Sequence, residues 1–275
     1  MDARELLCLI ALKYNGDWDS IYRAIQNRAN EQEEWLEYLP RLKKMKAKYI
    51  TVLDQEYPQY LRQSRCPPFV LFYYGDISLI NDINKNVAFV GSRDCSEYGA
   101  SMTEQLVKAV SPKYNIVSGL ALGIDAIAHQ SAIDSGGKTI AVLGGGIDYI
   151  YPSSNRELYY KIKHEHLILS EYPESTQPEP RFFPIRNRIV AMLSKAVVVT
   201  EAHQYSGTLI TVTWALESNK PVICVPYPAG LNSECNRLIR DGSDIVESGE
   251  ELLKTLDNSD LYPYQDILKF ENFVK

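Results

Sequence analysis

From Val87 onward the chain alternates short apolar runs with segments whose apolar residues recur at helical spacing. The runs read "VAFVG", "YNIVSG", "TIAVLGGG", "LILSEYP", "AVVVTEA" and "PVICVP". Near-continuous apolar runs of this length belong to strands buried on both faces, and the amphipathic helices between them supply the cover. The predicted fold class is therefore α/β, a doubly wound and mostly parallel sheet. Ahead of it, Leu6, Leu9 and Ile10, then Trp18, Ile21, Tyr22 and Ile25, repeat at helical spacing, with a turn at Asn15-Gly16 between the two groups. The expected organisation is a small N-terminal helical domain with a lead-in over residues 1–75, a sheet domain over 76–256, and a short tail over 257–275. A basic stretch, "RLKKMKAKY", reads as the solvated face of a helix.

In an open parallel sheet, ligands bind beyond the carboxyl ends of the strands, near the point where strand order reverses. The residues at those ends are Gly91, Ser92 and Arg93; Ser118 and Gly119; Gly144, Gly145 and Gly146; and Ser206, Gly207 and Thr208 just after Glu201. Arg186, Asn187 and Arg188 fall where a helix should open ahead of the strand "AVVVTEA". Glycines allow close backbone approach, helix N-termini present free N–H groups, and arginines add positive charge. Together these features predict an anion site suited to phosphates. The competing reading makes Arg93 a partner of Asp94 or Glu97 and makes Arg186 or Arg188 a brace for the sheet.

Composition narrows the choice of ligand. The 275 residues are 45% hydrophobic and carry a formal net charge of −6, so any polyanion site must be local rather than spread over the surface. No apolar stretch is long enough to span a bilayer, and the first residues lack the basic and small-residue features of a signal peptide. Five cysteines without a CxxC pair are expected to be reduced thiols in a cytoplasm.

Several chemical motifs fail on context. "AIDSGGKT" has loose Walker spacing but leads into a strand, whereas a phosphate loop must follow one. No G-x-G-x-x-G follows the first strand, so no dinucleotide cofactor is expected, and no other cofactor either. Asp125 and His129 share a helix face at i and i+4, and a structural hydrogen bond is the expectation. "HEH" at residues 164–166 lacks a second ligand pair, so no metal site is expected. With no catalytic acid–base pair in view, the chain is not expected to be an enzyme.

Six ordered motifs carry a resemblance: "FVGSR…YG", "VSGLALGIDAIAH", "TIAVLGGGIDYIYPSSN", "LILSEYP", "FPIRNRIVAMLS" and "SGTLITVTWALESNKPVICVP". In order and spacing they resemble the DNA-processing protein A (DprA, or Smf) family over about residues 50–250. The resemblance implies a Rossmann-like domain and a cytoplasmic protein of natural transformation. Such a protein binds incoming single-stranded DNA, protects it, loads the RecA recombinase onto it and forms a homodimer. It also implies a DNA pocket using Ser92, Arg93, the Gly144–Gly146 loop and the segment after Tyr151-Pro152, with Arg156 its nearest cation.

Three departures stand out. Ser153 replaces a lysine common in relatives, Tyr227 and Glu234 alter the loop after the last strand, and no winged-helix domain is expected after it. The N-terminal helices resemble the sterile-alpha-motif-like domain of some relatives. For the homodimer, Leu238, Ile239, Ile245, Val246, Leu252, Leu253 and Leu256 exceed what one short helix must bury, and they are expected to form the interface. Four tyrosines near strand ends, Tyr98, Tyr149, Tyr151 and Tyr205, are candidates for base stacking. The alternative function is a nucleoside-phosphate enzyme of the phosphoribohydrolase kind, or a nucleotide sensor. Against the enzyme, "SGTLIT" has Ile210 and Thr211 where that family's motif places its glutamate.

Overall fold

A computed structural model describes residues 2–27, 35–228 and 233–258. Two short helices open it, α1 (Ala3–Lys13) and α2 (Trp18–Gln26), each begun by an aspartate whose carboxylate accepts a first-turn N–H: Asp2 from Glu5 and Asp17 from Ser20. Next come α3 (Leu39–Lys44), β1 (Lys48–Thr51), α4 (Gln59–Arg62) and β2 (Val70–Gly75). Lys43 and Lys44 of α3 face solvent, as the basic stretch suggested.

The repeating part runs β3 (Asn86–Gly91), α5 (Glu97–Val110), β4 (Asn115–Ser118), α6 (Ile124–Asp134), β5 (Thr139–Leu143), α7 (Arg156–Glu165) and β6 (Leu167–Ser170). It continues through α8 (Phe182–Met192), β7 (Ala196–Glu201), α9 (Thr208–Glu217), β8 (Val222–Cys224), α10 (Glu234–Arg240), β9 (Asp244–Ile245) and α11 (Gly249–Asn258). Among the described residues, no helix is long and apolar enough to cross a membrane.

Among the described residues, nine strands form one sheet in the order β1-β2-β6-β5-β4-β3-β7-β8-β9. The pairings from β6 through β9 are parallel, and β1–β2 and β2–β6 are antiparallel. The lead-in thus ends inside the sheet, because Leu71 and Phe72 of β2 are buried on opposite faces of it. This is the expected doubly wound Rossmann-like α/β architecture.

The apolar runs are buried on both sides, as their lack of alternation requires. In β3, Ala88 and Val90 face a core built with α8 and α9, while Val87 and Phe89 face one built with α5, α6 and α11. A third core joins α1 and α2 to β2, β5 and α7 through Leu9, Leu12, Ile21, Phe72, Leu143 and Tyr159. Lys220, buried after α9, donates to the carbonyls of Ala191, Met192 and Ser194 and so caps the C-terminus of α8. That cap fixes the helix carrying the arginine pair.

Candidate nucleic-acid interface

Strand order reverses between β3 and β7, and a groove of about 630 Å³ opens there, within the range of ligand sites. Its first wall is the turn after β3. The Ser92 N–H donates to the Glu201 carbonyl at 2.9 Å, and the Ser92 carbonyl accepts from Ile124 at 3.1 Å. The Ser92 hydroxyl donates to the Asp94 carbonyl at 2.8 Å. Gly123, at φ +68°, lies against the Ser92 and Arg93 carbonyls with no space for a side chain. This tied-down turn leaves Arg93 exposed, its guanidinium 5.2 Å from the Phe183 ring centroid. Arg93 forms no ion pair with Asp94 or Glu97, nor with any other described residue. Its charge is available to an incoming anion.

The two arginines of α8 have different tasks. Residues two apart on a helix point to nearly opposite sides. Arg186 turns toward the groove and lies on its floor, where its guanidinium donates to the carbonyls of Gly119 and Val142 and to Asn187 Oδ1 at 3.0 Å. Burial pushes its pKa down to about 10, and the facing Asp125 carboxylate opposes that shift. Gly119 must be a glycine because the guanidinium occupies the place of its side chain.

Arg188 turns away into the core and is not a ligand contact. Its Nη2 meets Glu171 Oε1 at 2.6 Å with both side chains only 4% exposed, and its Nε donates to the Cys66 carbonyl at 3.0 Å. The bracing alternative therefore describes Arg188 fully, and it describes Arg186 as well in that its guanidinium ties the Gly119 and Val142 carbonyls together at the groove floor.

Other predicted positions divide in the same way. Gly91, Ser92, Asn187, Ser206, Gly207 and Thr208 line the groove, and Gly144 and Gly145 line a narrower slot under Tyr149, Tyr151 and Phe183. Ser118 is buried and donates to the Phe89 carbonyl at 2.7 Å, so it ties β4 to β3 instead of reaching ligand. Gly146 sits beneath the 173–176 turn, donating to Thr176. Arg156 opens α7, exposed and outside both cavities. Tyr98 stacks edge-on against Tyr227 and donates to the Pro226 carbonyl, whereas Tyr149, Tyr151 and Tyr205 remain exposed. Lys138 donates to the Glu165 carbonyl at the entry to β5, the end of the sheet opposite the groove.

Sequence reasoning missed two contributors. Phe183 forms the aromatic wall shared by groove and slot; its signal was the "FF" pair directly before "PIRNR". Glu201, at the end of β7, is buried at the N-terminus of α5. There it accepts from the Ser96 N–H at 2.9 Å, the Ser96 hydroxyl at 2.7 Å and the Tyr227 hydroxyl at 2.8 Å, with His203 Nε2 3.0 Å away. The protein's own carboxylate thus fills the helix terminus that in many such folds receives a phosphate. Tyr227, one of the departures, belongs to this cluster. Glu234 pairs with Arg237 in the first turn of α10.

The proposed dimer residues need correction. Leu238, Val246, Leu252 and Leu256 are buried inside this chain, where α10 and α11 pack on the sheet and on α5. They cannot meet a second copy. Ile239 and Leu253 are half-buried, and Ile245, on the edge strand β9, is 50% exposed.

Asp125 and His129 do not form a pair. Asp125 accepts from the N–H groups of Gly119 and Ala121, at 3.1 and 3.4 Å. His129 Nδ1 lies 2.6 Å from the Thr139 hydroxyl, which itself donates to the Ile116 carbonyl, so Nδ1 carries the proton. Burial, helped by the nearby Arg186, pushes the His129 pKa down to about 3 from an ordinary 6.5. The folded value lies below the unfolded one. Stability from neutral His129 is thus fully present above pH 6.5 and is lost as pH falls toward 3, at about 1.4 kcal/mol per pH unit. Urea midpoints should drop between pH 7 and pH 5, and His129→Asn, which keeps a donor to Thr139, should flatten that drop. Equal pH dependence in both proteins would remove His129 from the account.

Residues 48–257 match the sequence profile of the DNA recombination-mediator protein A family. The chain belongs to this family. It is 43% identical over 206 residues to the DNA processing protein DprA of Streptococcus pneumoniae, covering 74% of this chain and 72% of that protein. To the DprA of Bacillus subtilis it is 35% identical over 238 residues, covering 82% and 78%. An X-ray structure of the Streptococcus pneumoniae DprA superposes with TM-score 0.78 at 36% identity, over 94% of each chain. A DNA processing protein A from Helicobacter pylori, whose structure concerns its single-stranded DNA binding mode, superposes with TM-score 0.70 at 28% identity, over 78% of this chain and 96% of that one. Membership of the recombination-mediator family gives this chain a DNA-processing role.

Proposed function

We propose that this chain binds single-stranded DNA in the groove at the β3–β7 switch point. In that reading it protects DNA taken up in natural transformation, loads RecA onto it, acts as a cytoplasmic homodimer, and catalyses no reaction of its own. The observation that carries the reading is Arg93: an exposed guanidinium without an ion-pair partner among the described residues, on a rigid turn at the mouth of a glycine-lined groove, in a chain of net negative charge. A single strand can bend its phosphates into such a groove and lay bases against Phe183, Tyr149 and Tyr151, whereas a stiff duplex cannot enter. The Helicobacter pylori relative supports the choice of ligand. Two grooves in a dimer would make the second contact on a long strand intramolecular and raise its affinity by about 10²–10⁴. Of the residues first assigned to the interface, Ile239, Ile245 and Leu253 retain exposed surface for it.

Gel shifts across a salt series test the reading. The expected result is binding of an oligothymidylate well above that of duplex of equal length, with long strands favoured over short ones. Equal affinity for duplex would count against it. Release of free base from nucleoside monophosphates would replace it with the phosphoribohydrolase alternative.

A further inference from the structure

Two helices follow the strands that meet at the switch point, α5 after β3 and α9 after β7, and their N-termini differ. The terminus of α5 is capped by Ser96 and filled by the Glu201 carboxylate. The terminus of α9 is open. Its N-cap is Gly207, no side chain caps it, and no acidic residue lies in its first turn. The N–H groups of Gly207 and Thr208 find no acceptor among the described residues, while Leu209 and Ile210 are satisfied by Ser206 and Gly207. A free terminus alone is ordinary; the hydroxyls around it are not. Thr208 and Thr211 are 7% and 2% exposed, both line the groove, and neither hydroxyl has a hydrogen-bond partner among the described residues. The Ser206 hydroxyl is likewise buried without a partner. A buried hydroxyl is normally paired, so Ser206 asks for an acceptor, and the two threonine hydroxyls beside it open onto the groove where such an acceptor could come from outside the chain. A position beside Gly207, where a side chain would meet nothing within 4 Å, gives that acceptor room against the backbone.

Resting on the strand-binding reading above, we propose that the α9 terminus is a second phosphate subsite. The Gly207 and Thr208 N–H groups and the Thr208 and Thr211 hydroxyls bind one phosphodiester while Arg93 binds its neighbour along the strand. The groove then recognises a dinucleotide step rather than a lone nucleotide. Tyr205, 89% exposed and adjacent in sequence to Ser206, stands outside this subsite as a surface for the next base. The dipole of a ten-residue helix and hydroxyl donors to a charged oxygen supply the attraction.

The test is competition against a labelled dT20 strand by thymidine 5′-monophosphate and by the 5′-phosphorylated dinucleotide pdTpdT. For the wild type, the dinucleotide should compete at least about tenfold better. Thr208→Val with Thr211→Val preserves shape and removes both hydroxyls, and it should bring that ratio close to one. Gly207→Ala, whose methyl the folded chain accommodates at φ −60°, should do the same by keeping the phosphate off the helix end. Failure of the dinucleotide to outcompete the mononucleotide, or an unchanged ratio in both folded variants, overturns the second subsite. Arg93→Ala separates the two levels. If it weakens dT20 binding while the ratio stays unmoved in the other variants, only the second subsite falls; if the wild type holds dT20 no better than duplex of equal length, the strand-binding reading falls with it.

Discussion

Arg93→Ala is expected to weaken binding of a single-stranded oligonucleotide by about tenfold or more without changing the melting temperature. Arg93 contributes no ion pair and no hydrogen bond among the described residues, so its removal leaves no buried group unsatisfied. The rigidity of the turn comes from Ser92, Ile124 and Gly123, which the substitution does not touch. What disappears is one cation at the groove mouth and its contact with Phe183. Loss of a single phosphate contact should also reduce the log–log salt slope by about 0.7, the value for a single strand. Arg93→Lys should recover part of the affinity through its charge but lose the flat stacking on the ring. Unaltered affinity and salt slope in a folded Arg93→Ala protein would remove Arg93 from the site.

Arg188→Ala should have the opposite profile: a large loss of stability with little direct effect on the groove. Glu171 would remain buried without its partner, and the Cys66 carbonyl would lose the Arg188 donor. Breaking such a buried pair from one side costs about 3–5 kcal/mol. In a chain of this size that corresponds to a fall of roughly 10 °C in melting temperature. Burial already pushes the Glu171 pKa up, with Arg188 opposing that shift. Without the arginine, the folded state would hold a proton on Glu171 more tightly than the unfolded state does. The deficit should therefore shrink at acidic pH and grow as pH rises. Replacing both residues with methionine should restore much of the lost stability, because no orphaned charge is then left behind. A single Arg188→Ala protein as stable as wild type would show that the pair is dispensable.

The contrast between these arginines marks the limit of what could be read from sequence. Both lie in "PIRNRIV" at the predicted helix, and both carry the same charge. Helical periodicity places them on different sides, but only the buried acid contributed by residue 171 shows which side is core. Strand ends were legible because continuous apolar runs stop at Gly91, at Ser118 and at Leu143 before Gly144, and parallel topology sends all those ends to one edge. Ser118 and Gly146 show that standing at that edge does not mean reaching the ligand. Their neighbours, the Phe89 carbonyl and the 173–176 turn, are remote in sequence. The apolar count over 238–256 was sound as a measure of burial. It could not show that α5 and the sheet already supply the cover for Leu238, Val246, Leu252 and Leu256. Glu201 gave no local signal, since its role depends on Ser96 and Tyr227, 105 and 26 residues away.

The carboxylate at the head of α5 has a consequence for selectivity. Free adenine nucleotides are abundant in any cell, and a helix terminus with bare amides at this point of the fold would attract their phosphates. Glu201 makes that terminus self-occupied: an arriving phosphate meets like charge, and its hydrogen bonds are already taken. The head of α5 therefore offers no open seat for a phosphate, and the bare amides at the head of α9, beside the groove, are left as the place for one. On the proposed strand-binding reading, small nucleotides would then find only a partial foothold, and a polymer engaging the groove over several linkages would hold the advantage.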